Sequence, residues 1–235
     1  MISKIVEYSI FLIFLFIPIA LLFGTLVSES SMLLICLLFL FYSILTKNFN
    51  WTKNQDFKIL LILYFLLIIN SVFSNDLGSS LPRNVGFIKY IILIFALKEI
   101  IFEKEIFLNK ILIFWSVIIL ITVIDLYYEY VFGTNILGFT STYPGRLVGF
   151  LGDENKIGSF IAGFLFPLFS FWIYKIFYNQ NKEQVFLKKI LFFLTLFLTL
   201  YILLPVGQRS IVLKLIPAIV FLIYFFPLIN LKKKF

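Results

Sequence analysis

Three arginines stand among 17 lysines in this chain, and the two residue types are used differently. A guanidinium offers a planar fork of donors that matches a phosphate or carboxylate two bonds at a time, whereas an ammonium suffices wherever a solvated positive charge is wanted. Arg83 stands in Ser79-Ser80-Leu81-Pro82-Arg83-Asn84, Arg146 in Tyr143-Pro144-Gly145-Arg146-Leu147-Val148-Gly149-Phe150, and Arg209 after Pro205-Val206-Gly207-Gln208. Arginine kept at these places predicts a site for an anion. Arg83 reads equally as an interfacial anchor or a partner for Asp76. Arg146 lies in a turn-rich stretch able to bring backbone and guanidinium to one ligand. Arg209 sits in a short connection between two very apolar runs, where a charge costs up to about 2.5–3.5 kcal/mol at full membrane depth and marks function.

A second polar cluster, Gly152-Asp153-Glu154-Asn155-Lys156-Ile157-Gly158, opens an apolar run. Asp and Asn accept the free N–H groups of a helix start, and acidic residues suit the positive end of its dipole. Capping accounts for Asp153 or Asn155; three polar residues together with Lys156 leave room for a mixed capping and binding role. Beyond them, Gly158 with Ala162 and Ser159 with Gly163 are small-residue pairs that let a neighbouring helix approach closely.

The elements that must carry these residues follow from composition. Of 235 residues, 62% are hydrophobic, 20% aromatic and 14% charged, against about 45–50% apolar and about 25% charged in soluble domains. Such an excess cannot be buried in one water-soluble core, so the surrounding medium is lipid. A bilayer core about 30 Å thick needs about 20 mostly apolar helical residues. Eight runs qualify: Tyr8–Val27, Ser30–Thr46, Phe57–Phe73, Val85–Phe102, Ile111–Ile124, Ile157–Tyr178, Leu187–Leu204 and Ile211–Asn230. The fifth is short and can continue through Asp125–Tyr130. The expected fold is all-α, a polytopic membrane helix bundle of about eight transmembrane helices forming a single domain over residues 1–235. The first run is longer than the h-region of a signal peptide and lacks an A-x-A site, so it is expected to stay as a helix.

With both termini in the cytoplasm, 14 basic residues fall on the inner side and all are Lys; Arg83, Lys89, Arg146, Lys156, Arg209 and Lys214 fall on the outer side. This asymmetry matches the positive-inside rule, and Lys232–Lys234 reads as an anchor for the last helix. The formal charge of +8 is thereby assigned to topology, with no nucleic acid implied. The main extramembrane segment is the outer loop 125–156. It is rich in Tyr and Gly rather than in charge, so it is expected to be ordered.

The absence of histidine excludes a His general base, a Ser-His-Asp triad and a His metal site within this sequence, and the single Cys36 excludes an internal disulfide. No Asp or Glu falls in the middle of a run. A proton- or sodium-driven transporter, which uses ionisable groups near the midplane, is disfavoured.

The segments Asp125-Leu126-Tyr127-Tyr128-Glu129-Tyr130-Val131-Phe132-Gly133-Thr134-Asn135, Arg146-Leu147-Val148-Gly149-Phe150-Leu151-Gly152-Asp153-Glu154-Asn155 and Gly207-Gln208-Arg209-Ser210 resemble the O-antigen ligase and O-antigen polymerase superfamily. These are bacterial inner-membrane glycosyltransferases of lipopolysaccharide and cell-envelope polysaccharide biosynthesis. The resemblance covers most of the chain in hydropathy and is specific over about Asp125–Ser210. It implies a polyprenyl-diphosphate-linked glycan as donor, a glycan or lipid acceptor on the periplasmic face, and no cofactor or metal. By that similarity Arg146 and Arg209 are the catalytic residues, holding the diphosphate and stabilising its charge as it leaves. Arg83, Tyr143, Asp153, Glu154, Asn155, Lys156 and Gln208 are the expected substrate contacts. Family members have more spans and a large later outer loop with further arginine and, in ligases, a catalytic histidine; the sequence here lacks that C-terminal part. Asp125, Glu129, Asp153 and Glu154 are the carboxylates available as a base, and the sequence does not choose among them. The other reading is a non-catalytic membrane binder or carrier of lipid-linked glycan, or a degenerate remnant.

Overall fold

A computed structural model describes residues 2–141, 145–152, 156–178, 182–207 and 217. Among them every regular element is helical: α1 (Ile2–Leu15), α2 (Ile17–Leu22), α3 (Thr25–Thr46), α4 (Asn50–Lys53), α5 (Gln55–Val72), α6 (Leu77–Val85), α7 (Ile88–Ala96), a π-helical stretch Leu97–Phe102, α8 (Glu105–Phe132), a 3₁₀ turn Gly149–Leu151, α9 (Ile157–Tyr178) and α10 (Lys182–Ile202). Among the described residues four helices are long and apolar enough to cross a membrane: Thr25–Thr46, Gln55–Val72, Glu105–Phe132 and Ile157–Ile176. Long apolar helices of this kind satisfy their own backbone groups, as hydrocarbon requires.

Several boundaries differ from the hydropathy reading. The first run is split at Phe16, where Pro18 enters the first turn of α2 and removes an N–H that a continuous helix would use. The fourth is preceded by α6, is interrupted by a turn at Gly86–Phe87 and ends as the π-helical stretch. The fifth does continue, so that residues 125–132 of the expected outer loop are the last two turns of α8. Apart from residue 217, the eighth run lies outside the described residues.

The chain divides into two compact units, Met1–Ile111 and Leu112–Phe235, with the boundary inside α8. In the first, α3 packs against α1 and α7 over buried Ile10, Ile35, Phe39 and Phe95. Trp51 packs edge-on and tilted among Phe39, Phe57 and Phe95 and donates from Nε1 to Ser43 Oγ at 3.2 Å. Two ion pairs, Lys104 with Glu7 and Lys98 with Asp56, join α1 and α5 to the segment following α7. α5 buries little beyond Ser71 and leaves Ile59, Ile62, Leu66 and Ile69 exposed, a face suited to lipid.

In the second unit Trp115 meets Phe164 edge-on at 4.9 Å, and Trp172 Nε1 donates to Ser116 Oγ at 2.8 Å, joining α8 to α9. Tyr127 Oη donates to the Leu198 carbonyl at 2.7 Å, joining α8 to α10. Between these three helices runs an apolar groove of about 420 Å³ lined by Leu120, Val123, Leu165, Leu168, Phe169 and Phe192, among others.

Candidate functional site

The end of α8 carries two carboxylates one turn apart, Asp125 and Glu129, both buried. Neither has an ion-pair partner among the described residues. Glu129 instead accepts from two successive backbone N–H groups, Val148 at 3.1 Å to each oxygen and Gly149 at 2.8 Å. A carboxylate satisfied by backbone donors in this way is charge-assisted bonding, the arrangement that makes a buried anion tolerable. Asp125 accepts through Oδ1 from the Ile136 N–H at 2.9 Å, and its Oδ2 is buried without a hydrogen-bond partner among the described residues.

The segments around Asn135–Phe139 and Val148–Gly149 thus form a strap over the end of α8, and Asn135 joins its two parts. Its Oδ1 accepts from the Phe139 N–H at 2.7 Å and its Nδ2 donates to the Gly149 carbonyl at 2.8 Å. Gly149 is therefore held on both sides, its N–H by Glu129 and its carbonyl by Asn135. It sits at φ 55°, and a Cβ there would come within 3.1 Å of Leu126, 3.3 Å of Ile157 and 3.5 Å of Asp125 Oδ2. Only glycine fits both the left-handed backbone and this close approach.

Arg146 emerges from the strap two residues before Val148. Its side chain lies over Gly207, so closely that a Cβ on Gly207 would stand 3.0 Å from Cγ, Cδ and Nε of Arg146. Gly207 takes φ 79° in the turn after α10. Two stretches singled out in the sequence, one beginning at Tyr143 and one ending at Ser210, thus meet at a guanidinium on a bare backbone. Lys156 is exposed at the head of α9, where its carbonyl accepts from the Phe160 N–H at 3.0 Å. Beside the strap a recess of about 410 Å³ opens between Gly138, Phe139, Thr140 and Phe150–Gly152.

Compared with known proteins, the chain matches no protein-family model, no curated protein and no solved structure. The roles of these residues therefore rest on their own chemistry.

Arg83 belongs to the other unit. It projects from α6, which Asp76 caps by accepting from the Ser79 N–H at 3.3 Å and the Ser79 hydroxyl at 2.5 Å. Those bonds hold the Asp76 carboxyl below its usual range, so Asp76 is spent on the helix and makes no ion pair with Arg83. Tyr143, Asp153, Glu154, Asn155, Gln208 and Arg209 lie outside the described residues.

Sequence reading did not assign Asn135, nor the use of Glu129 as a backbone acceptor. The only signal was the buried-type context of two carboxylates at an i, i+4 spacing on the polar end of an apolar helix. It also left Glu29 unremarked, which pairs with Lys89 across the first unit.

Proposed function

We propose that this chain is a multi-pass protein of the bacterial inner membrane that engages a polyprenyl-diphosphate-linked glycan on its periplasmic face and transfers the glycan to an acceptor, in the manner of O-antigen ligases and polymerases. About eight spans with both termini in the cytoplasm place the Arg146 stretch and the Gly207–Ser210 motif on that face. The observation that carries the reading is the contact of Arg146 with Gly207, which sets one guanidinium directly before Gln208 and Arg209 in the chain. The Arg146 fork suits one pair of diphosphate oxygens, and Arg209, two residues beyond Gly207 in the sequence, is the second fork this reading assigns to the donor. The apolar groove along α8, α9 and α10 includes Val123, two residues before Asp125, and suits the hydrocarbon tail of the same donor.

In the transfer the acceptor hydroxyl oxygen forms a bond to the anomeric carbon, the bond from that carbon to the diphosphate oxygen breaks, and the hydroxyl proton passes to a base. The diphosphate departs on its prenyl chain with the bonding electron pair. Preorganised guanidinium groups stabilise the charge that develops there. Each charge-assisted hydrogen bond contributes about 1.5–3 kcal/mol, so loss of one fork corresponds to a tenfold to hundredfold fall in rate. Arg146→Lys and Arg209→Lys are expected to insert normally and lose transfer to that extent, measured with a synthetic polyprenyl-diphosphate glycan and purified acceptor. Undiminished transfer in both variants would sink the assignment.

One observation favours the carrier reading instead. Of the carboxylates available as a base, Asp125 and Glu129 are buried and hold the loop backbone. A chain that binds the donor, loses binding on Arg146→Lys, and releases no diphosphate with any acceptor is a carrier.

A further inference from the structure

The first unit holds a cavity of about 760 Å³ bounded by Glu29, Leu67, Arg83, Asn84, Phe87 and Lys89 among others, in a different unit from the Arg146–Gly207 contact. It exists because α6 folds back along α5. Asn84 Nδ2 donates to Ser71 Oγ at 2.5 Å and to the Leu67 carbonyl at 3.3 Å, and Tyr64 Oη donates to the Val85 carbonyl at 3.3 Å. Tyr64 is eight residues before the end of α5 at Val72, so at 1.5 Å per residue the fold-back reaches about 12 Å down the helix. A turn at Gly86–Phe87 then separates α6 from α7, and Gly86, Phe87, Lys89 and Tyr90 close the far side of the space.

The charges around this space do not cancel. Lys89 is paired with Glu29, whose other oxygen accepts from Tyr90 Oη at 3.0 Å. Asn84 is spent on α5, and the Ser80 hydroxyl shares a 2.6 Å bond with Ser74. Arg83 has no ion-pair or hydrogen-bond partner among the described residues, so the cavity carries one uncompensated positive charge with a full fork of donors. Its wall on α5 belongs to a helix whose apolar side chains are exposed, and Leu67, Pro82 and Phe87 add apolar lining.

We propose that this cavity is a binding site for the phosphodiester headgroup of a monoanionic membrane lipid, gripped by Arg83. The net charge of one matches a phosphodiester, the fork matches two of its oxygens, and the apolar α5 wall receives the glycerol and upper acyl chain. A volume of about 760 Å³ lies within the range of built small-molecule sites and is far more than a free phosphate fills. The ligand enters sideways from the bilayer. This inference stands on the first unit alone and holds whether or not the chain transfers glycan.

The test uses the full chain in nanodiscs that mix phosphatidylglycerol with phosphatidylcholine, followed by release into detergent and counting of retained lipid by native mass spectrometry. Phosphatidylglycerol is expected to be retained over phosphatidylcholine, whose choline places a second cation in a positive cavity. Arg83→Gln should lower that retention at least tenfold, and Arg83→Lys, which keeps the charge and loses the fork, should fall between. Glu29→Gln should raise it, because Lys89 is then unpaired and the cavity gains a second positive charge. Arg146→Lys should leave it unchanged, which separates this site from the transferase reading. Equal retention of both lipids, or retention unaffected by both Arg83 variants, overturns the proposal. Displacement of phosphatidylglycerol by millimolar inorganic phosphate also overturns it, by assigning the site to the free ion.

Discussion

Glu129 and Asp125 are one helical turn apart and equally hidden, yet their carboxylates are differently used. Both Glu129 oxygens accept from Val148, and one accepts also from Gly149. In Glu129→Gln the amide oxygen keeps both N–H groups only from the Oε2 position, which sets the NH₂ group 3.1 Å from the Val148 nitrogen, donor facing donor, and the remaining bonds are no longer charge-assisted, a cost of about 1–3 kcal/mol. Asp125 uses Oδ1 alone, while Oδ2 has no partner among the described residues. Asp125→Asn can keep the amide oxygen on the Ile136 N–H and turn its nitrogen to the unpartnered position, which also removes a buried charge. The expected order in thermal unfolding of the detergent-solubilised chain is therefore Glu129→Gln clearly below the parent and Asp125→Asn close to it. The reverse order would show that the strap hangs on Asp125. The sequence singles out the three arginines, because Lys and Arg differ in what they can grip. It could not make this strap legible, since Glu129 meets its partners across 19 and 20 residues of chain and nothing local in the sequence encodes that closure.

At the scale of elements, the turn after α10 and the strap before α9 form one joint, and Gly207 is its contact point. A methyl group there would stand 3.0 Å from three atoms of the Arg146 side chain, on a backbone already at φ 79°. Gly207→Ala must therefore push Arg146 aside or twist the turn, and either movement strikes the proposed diphosphate site. We expect Gly207→Ala to insert and keep its helical content by circular dichroism while losing transfer, or donor binding in a carrier, about as far as Arg146→Lys. Full activity in Gly207→Ala would mean that the contact is incidental. Long helices such as α3, α5, α8 and α9 were readable from the sequence because an apolar run of about 20 residues in lipid has one way to satisfy its backbone. Their interruptions were not. A window of hydropathy averages across Phe16, Gly86 and the π-helical stretch 97–102, where the backbone changes course within a few residues that are nearly as apolar as their neighbours. The polar α6 showed its character in Ser79, Ser80, Arg83 and Asn84, but that it folds back on α5 depends on bonds to Leu67 and Ser71.

For the molecule as a whole, the decisive quantity is which face of the membrane each loop meets, because the arginine sites have a periplasmic meaning only on one side. In the first unit the charged groups gather at two ends of α3. Glu29, near its start, pairs with Lys89, while Tyr42, near its finish, donates to Glu7, which also binds Lys104. Separation of this kind is what a slab of hydrocarbon across the middle imposes, and the lysine-rich end is the one the positive-inside rule assigns to the cytoplasm. A thiol scan decides the matter. Lys53 at the end of α4 and Leu137 in the segment after α8 are both exposed, and Cys36, the one native thiol, is buried. In intact spheroplasts a membrane-impermeant maleimide is expected to label Leu137→Cys at once, and Lys53→Cys only after permeabilisation, with the parent chain as the blank. Labelling in the opposite order would turn Arg146 toward the cytoplasm. A transferase acting on the periplasmic face would then be excluded, while the lipid cavity at Arg83, which needs only a membrane boundary, would move to the other leaflet and survive.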